Sequence, residues 1–205
     1  MITLVIIVIT GLVSVQAFSN HELFLRLRFN AYVTRNQKQW YRLGSYALLH
    51  ADWMHLIVNM FVLYSFGQQV ELEYRAYFGP IGMLFYVLLY TSSVVMSIIP
   101  SYEQQKNNPV YNSVGASGAV SAVLFAQVLF DPLGQVALYG IIPMPSILFA
   151  VVYLGYSWYM GKQGRDNINH HAHFFGAVYG MLFTVLLDKQ IAVNFWELIK
   201  YKYFG

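Results

Sequence analysis

Cysteine is absent from the chain, so thiol nucleophiles, disulfides and thiolate metal sites are excluded, and covalent chemistry falls to Ser, His, Asn or carboxylates. Three short stretches bring such residues together. The first, Gly115-Ala116-Ser117-Gly118, opens an apolar run. A serine in the first turn of a helix has a backbone N–H that the helix ladder leaves unpaired, at the positive end of the dipole, where a negative oxygen is favoured. The same small residues at 115–119 also suit close helix packing, so the motif alone carries little weight. Position 119 is Ala and no strand-like run precedes, which disfavours the Gly-x-Ser-x-Gly elbow of soluble hydrolases.

The second stretch runs from Asn169 through His170, His171 and His173 to Gly176, continuing to Gly180. A histidine is a general base near neutral pH. His173 lies deepest in the apolar run, while His170 and His171 precede it and read as loop residues. Gly176 and Gly180 give one helix a smooth face and Gly118 and Ala122 give another, so two backbones can approach until Ser117 meets His173. The third stretch is His55-Leu56-Ile57-Val58-Asn59, an i, i+4 pair on one helix face. An asparagine in an apolar span needs a partner, since an unsatisfied buried polar group costs about 1–3 kcal/mol. That partner is either a neighbouring helix or a developing oxyanion, for which His55, Asn59 and the Ser117 N–H would be the donors.

The elements that must position these residues are membrane helices. The chain of 205 residues is 58% hydrophobic and 10% charged, against about 25% charged in ordinary soluble domains. Apolar runs at 2–18, 53–70, 77–99, 113–130, 136–160 and 171–187 each approach the length that crosses hydrocarbon, and none alternates as a β-barrel strand would. The expectation is an all-α polytopic bundle of six transmembrane helices forming a single domain over residues 1–205. The first run reads as a retained span, since it lacks the basic lead-in of a signal peptide although Val15-Gln16-Ala17 is a weak cleavage site. Residues 19–52 form a connection too long for a turn and therefore structured. With six spans, the second, fourth and sixth run in one direction, so Ser117, His173 and His55 with Asn59 all lie toward one face. Net charge is only +3, without a basic block, so nothing points to nucleic acid. Counting Lys and Arg, the convergent face carries Arg26, Arg28, Arg35, Lys38, Arg42, Lys106, Lys162 and Arg165, and the other Arg75, Lys189, Lys200 and Lys202. The positive-inside rule therefore assigns the convergent face to the cytoplasm.

Together, Gly-x-Ser-Gly, His-x-x-x-Asn and His-x-x-Gly-x-x-x-Gly on the fourth, second and sixth spans resemble the rhomboid family of intramembrane serine proteases. Trp40-Tyr41-Arg42, with one residue inserted, resembles the family's first-loop Trp-Arg element, and Glu73-Tyr74-Arg75 its Glu-x-Arg pair. The resemblance implies Ser117 as nucleophile and His173 as base, with His55, Asn59 and the Ser117 amide as oxyanion hole. It implies no metal or cofactor, and substrates that are single-span transmembrane proteins cut in the lipid bilayer. It places the convergent face outside, against the charge count. The fifth span, with Pro143 and Pro145, would be the lateral gate. Ser121 departs from the family, many members of which place an aromatic ring there to stack on the base.

Alternatives are a catalytically inactive rhomboid-like protein that binds membrane clients, a metal-dependent hydrolase using His50, His55, His170, His171 or His173, and a transporter lined by polar residues. The histidine metal motif His-Glu-x-x-His is absent, as is any internal repeat. The absence of an evident organelle presequence suggests a multi-pass protein of a prokaryotic cell membrane.

Overall fold

The computed structural model describes residues 1–138, 142–164, 166 and 168–205. The chain is mostly helical: α1 (Ile2–Ser19), three short helices α2 (His21–Leu27), α3 (Ala31–Asn36) and α4 (Arg42–Ser45), then α5 (Trp53–Phe78), α6 (Gly82–Gln105) and α7 (Ser117–Phe130). A hairpin of β1 (Gln135–Leu138) and β2 (Ile142–Pro145) follows, paired antiparallel, and then α8 (Ser146–Gln163), α9 (His170–Leu187) and α10 (Gln190–Phe204).

The outer surface of the bundle is apolar while polar residues are buried within it, unlike a soluble bundle. On α1 the buried residues are Thr3, Thr10, Ser14 and Ala17, while Val5, Val8 and Leu12 are exposed. Exposed Ile57, Phe61, Val151 and Leu186 extend the apolar surface over α5, α8 and α9. Only a hydrocarbon solvent makes that distribution favourable. Two stretches, Ile2–Ser19 and Trp53–Gln105, are long and apolar enough to cross a membrane, and α9 with α10, bent by 110°, would add a third as a broken span. The chain is thus a membrane helical bundle.

At the centre, α7 has every residue from Gly118 to Leu129 buried and packs on α5, α6 and α9. Its 14 residues give about 21 Å of rise, short of the roughly 30 Å of hydrocarbon. A helix enclosed by its neighbours has no need to match the bilayer. Its closest partner is α9: a Cβ on Gly176 would fall on the Gly118 carbonyl, and one on Gly180 on that of Ala122. The small-residue faces expected on these two helices do interlock.

Several expectations need correction. The bundle is mostly helical, but the run at 136–160 begins as a hairpin rather than as a helix. Pro143 and Pro145 lie in β2 rather than in a span, and the helix starts at Ser146, directly after Pro145. A proline has no N–H to give a helix interior, whereas a strand edge tolerates it. Conversely, α6 continues through Pro100 to Gln105, where a break was expected. His170 and His171 stand in the first turn of α9, with the Asn169 side chain accepting from the Ala172 N–H. The connection at 19–52 is structured as expected, and Arg42 is its tie: its guanidinium donates to the carbonyls of Leu25 and Arg28 at 3.0 and 2.6 Å and to Gln39 at 2.7 Å.

Candidate active site

Ser117 opens α7 as its first helical residue, with no side-chain cap before it. Its N–H therefore has no protein partner among the described residues. His173 lies one turn into α9. Because Gly176 and Gly180 let the two backbones touch, the side chains above the contact meet, and His173 Nε2 lies 2.7 Å from Ser117 Oγ. Both line a cavity of about 430 Å³ between the starts of α5, α7 and α9.

His55 faces the same cavity from α5. Asp52 caps that helix, its Oδ1 accepting the His55 N–H at 2.8 Å. The Ala51 N–H points at His55 Nδ1 at 3.4 Å, which favours the proton on Nε2, facing Gly115. Gly115 adopts φ +118°, and a Cβ there would stand 2.7 Å from the His55 ring. The position therefore needs glycine for backbone conformation and for room. Asn59 is buried one turn along, its Nδ2 donating to the His55 carbonyl at 2.9 Å, and it is not among the residues lining the cavity.

Three further histidines, His50, His170 and His171, stand around the site without joining the Ser117–His173 contact. His50 is buried, its Nδ1 2.9 Å from Ser14 Oγ and its ring edge-on to His55 at 4.9 Å between centroids. Burial, followed by the neighbouring His55, lowers its pKa to about 3, so it remains neutral. His170 is buried beside His173, rings 5.8 Å apart, with Nε2 3.0 Å from Asp166 Oδ2. The hydrogen bond from His170 holds the Asp166 carboxyl below its usual range. His171 turns to Gly161 and Phe175, away from the serine. No group of three or more His, Asp or Glu is placed to hold a metal ion among the described residues.

Two features escaped the sequence reading. The first is Tyr153 on α8, whose ring lies parallel to that of His173, 6.3 Å between centroids and 24° between planes. The Tyr153 hydroxyl lies 2.6 Å from Ser121 Oγ, so the small residue on α7 leaves the space that a ring from α8 fills. The unusual serine at 121 was the available signal. The second is Glu71, buried in α5. It accepts the N–H groups of Ile2 and Thr3 at 2.8 and 3.0 Å and the Thr3 hydroxyl at 2.8 Å, capping α1. Glu73 and Arg75 form no ion pair with each other among the described residues. Two glutamates two residues apart carry no mark in sequence of which one is buried.

The rhomboid domain model matches residues 37–190. Rhomboid-like protein 11, chloroplastic, of Arabidopsis thaliana is 32% identical over 77% of this chain and 56% of its own length. The putative rhomboid protease YdcA of Bacillus subtilis (strain 168) is 29% identical over 74% of this chain and 69% of its own. The presenilin-associated rhomboid-like protein, mitochondrial, of Homo sapiens is 28% identical over 74% and 39% respectively. The match thus spans little more than half of the Arabidopsis protein and less of the human one. With a family match over three quarters of its length and an apolar-outward helical bundle around the paired serine and histidine, the chain belongs to the rhomboid family and is an integral membrane protein.

Proposed function

We propose that the protein is an intramembrane serine endopeptidase that cuts single-span transmembrane substrates, with α1, α5, α6, α7, α8 and α9 as six membrane crossings in a prokaryotic cell membrane. The observation that carries this reading is the 2.7 Å approach of Ser117 Oγ to His173 Nε2 inside a cavity, beside an N–H without a protein partner among the described residues. His173 takes the Ser117 proton as the oxygen attacks the scissile carbonyl, giving a tetrahedral intermediate whose oxyanion is held by the Ser117 N–H and His55 Nε2–H. Asn59 shares that helix face and keeps one amide proton beyond the one donated to the His55 carbonyl. His173 then protonates the leaving amine, and water, deprotonated in turn by His173, releases the acyl product and restores Ser117. Tyr153 holds the imidazole plane, the role an aromatic ring on the serine's own helix fills in many relatives. A cavity sunk among helix starts admits water without exposing unpaired backbone to lipid.

The test is cleavage of single-span model substrates by purified protein in liposomes. Ser117→Ala and His173→Ala each lower kcat/KM by at least about 10³-fold while leaving the protein folded, and chelators have no effect. His55→Ala costs about 10²–10³-fold as a lost oxyanion donor, more than Asn59→Ala. Cleavage surviving in Ser117→Ala, or lost to chelator, overturns the mechanism. Failure of the wild type to cut any of a panel of substrates favours a client-binding member without catalysis.

A further inference from the structure

Arg28 lies on the wall of the cavity that holds Ser117 and His173, half-buried, with no acidic side chain within ion-pair distance among the described residues. Its backbone is fixed. The Arg28 carbonyl accepts from Arg42 at 2.6 Å, and the next residue, Phe29, exchanges both backbone hydrogen bonds with Ser113 at 3.0 Å. Ser113 begins the segment that leads through Gly115, itself tied to the Tyr46 carbonyl, to Ser117. The segment that carries Arg28 and the segment that leads to Ser117 are therefore one hydrogen-bonded unit.

The charge on that wall is unbalanced. Asp52 is the other charged residue among the described lining, and it is engaged at the N-terminus of α5, where the helix dipole offsets it. Asp166 is engaged by His170. Burial, and secondarily the nearby Arg42, lower the pKa of Arg28, but a guanidinium does not escape by losing its proton. The rest of the lining is neutral, with the polar groups Asn112, Ser113 and Asn169 among apolar side chains such as Phe24 and Met54. A partly desolvated cation without a counter-charge is half of an ion pair. In a cavity built to admit a polypeptide, the missing carboxylate arrives with the chain.

Resting on the serine-protease reading above, we infer that Arg28 is a specificity-determining residue that receives an acidic side chain of the substrate, so that preferred substrates carry Asp or Glu in the polar stretch flanking the scissile bond.

The experiment compares three single-span substrates, identical but for Glu, Gln or Lys at each position of that stretch in turn, cut by wild type, Arg28→Glu, Arg28→Gln and Ser117→Ala in zwitterionic liposomes. At one or two positions wild type prefers Glu over Gln by about tenfold in kcat/KM, the size of one charge-assisted hydrogen bond, and disfavours Lys. The preference shrinks with added salt. Arg28→Glu reverses the order, with Lys cut best, a gain that misfolding cannot imitate. Arg28→Gln brings the Glu-to-Gln ratio to about 1, so a folding failure of the reversed variant leaves a second reading. Equal cutting of Glu and Gln by wild type at every position overturns the inference. So does a uniform loss on all three substrates in both variants, which would assign Arg28 to a lipid phosphate or to the fold. The underlying reading fails separately: in that case wild type cuts nothing, or Ser117→Ala still cuts.

Discussion

At the residue scale the site is a set of short contacts whose partners come from different helices, and Tyr153 shows how such a set tolerates exchange. A ring packed on an imidazole contributes about 1 kcal/mol beyond its buried area, and it serves equally from either neighbouring helix provided the plane is kept. Here α7 offers Ser121 and α8 offers the ring, the two hydroxyls 2.6 Å apart. Tyr153→Ala therefore lowers kcat about tenfold with KM little changed, whereas Tyr153→Phe, which keeps the ring and loses only the hydroxyl contact, retains most of the rate. Combining Tyr153→Ala with Ser121→Tyr, which returns the ring to α7, restores kcat. A merely structural tyrosine would instead change melting temperature without that recovery. The convergence of Ser117, His173 and His55 was legible in sequence because polar residues at the starts of three apolar runs are few and stand out. Tyr153 was not, because an aromatic in an apolar span is ordinary, and only the fold brings position 153 beside 173.

At the element scale, glycine spacing determines how closely helices approach, and that approach sets the Ser117–His173 distance. A methyl at Gly176 would meet the Gly118 carbonyl, which is backbone and cannot turn aside. Gly176→Ala accordingly forces α7 and α9 apart and costs about 1–3 kcal/mol as overpacking, read as a lower melting temperature and a loss of activity larger than stability alone explains. Gly155→Ala on α8, where nothing lies within 4 Å of the new methyl, is neutral in both measurements. The sequence carried this pairing through its small residues at 118, 122, 176 and 180. It concealed the start of α8, because Val136 to Pro145 is as apolar as a span and hydropathy does not separate a hairpin from a helix. The prolines at 143 and 145 were the better guide: two of them in three residues suit a strand far better than the interior of a crossing helix. The bend into α10 was equally hidden, since Asp188-Lys189 reads as a simple end of the last apolar run.

At the scale of the whole molecule, the positive-inside count and the family orientation disagree, and the fold supplies a reason. Arg42 is buried against backbone carbonyls, which takes one charge of the first connection out of the count, and the connection is a folded cap of short helices rather than a short free loop. The rule counts free charges in short loops, and such a cap is a poor subject for it. On the six-crossing reading proposed above, hydropathy and helix length undercount, because α7 is short and enclosed, its ends set by neighbours rather than by lipid. Sidedness is measurable directly, since the natural chain contains no cysteine and each introduced thiol is the only one. Val110, before α7, and Tyr201, on α10, are 80% and 84% exposed. If α7, α8 and α9 all cross, three passes separate these positions and they lie on opposite sides. In intact cells a membrane-impermeant maleimide then labels one of Val110→Cys and Tyr201→Cys, and the other only after permeabilisation. Labelling of Val110→Cys in intact cells assigns the Ser117 cavity to the exterior, as the family orientation has it. Labelling of Tyr201→Cys instead upholds the charge count, and equal labelling of both removes one of the three crossings.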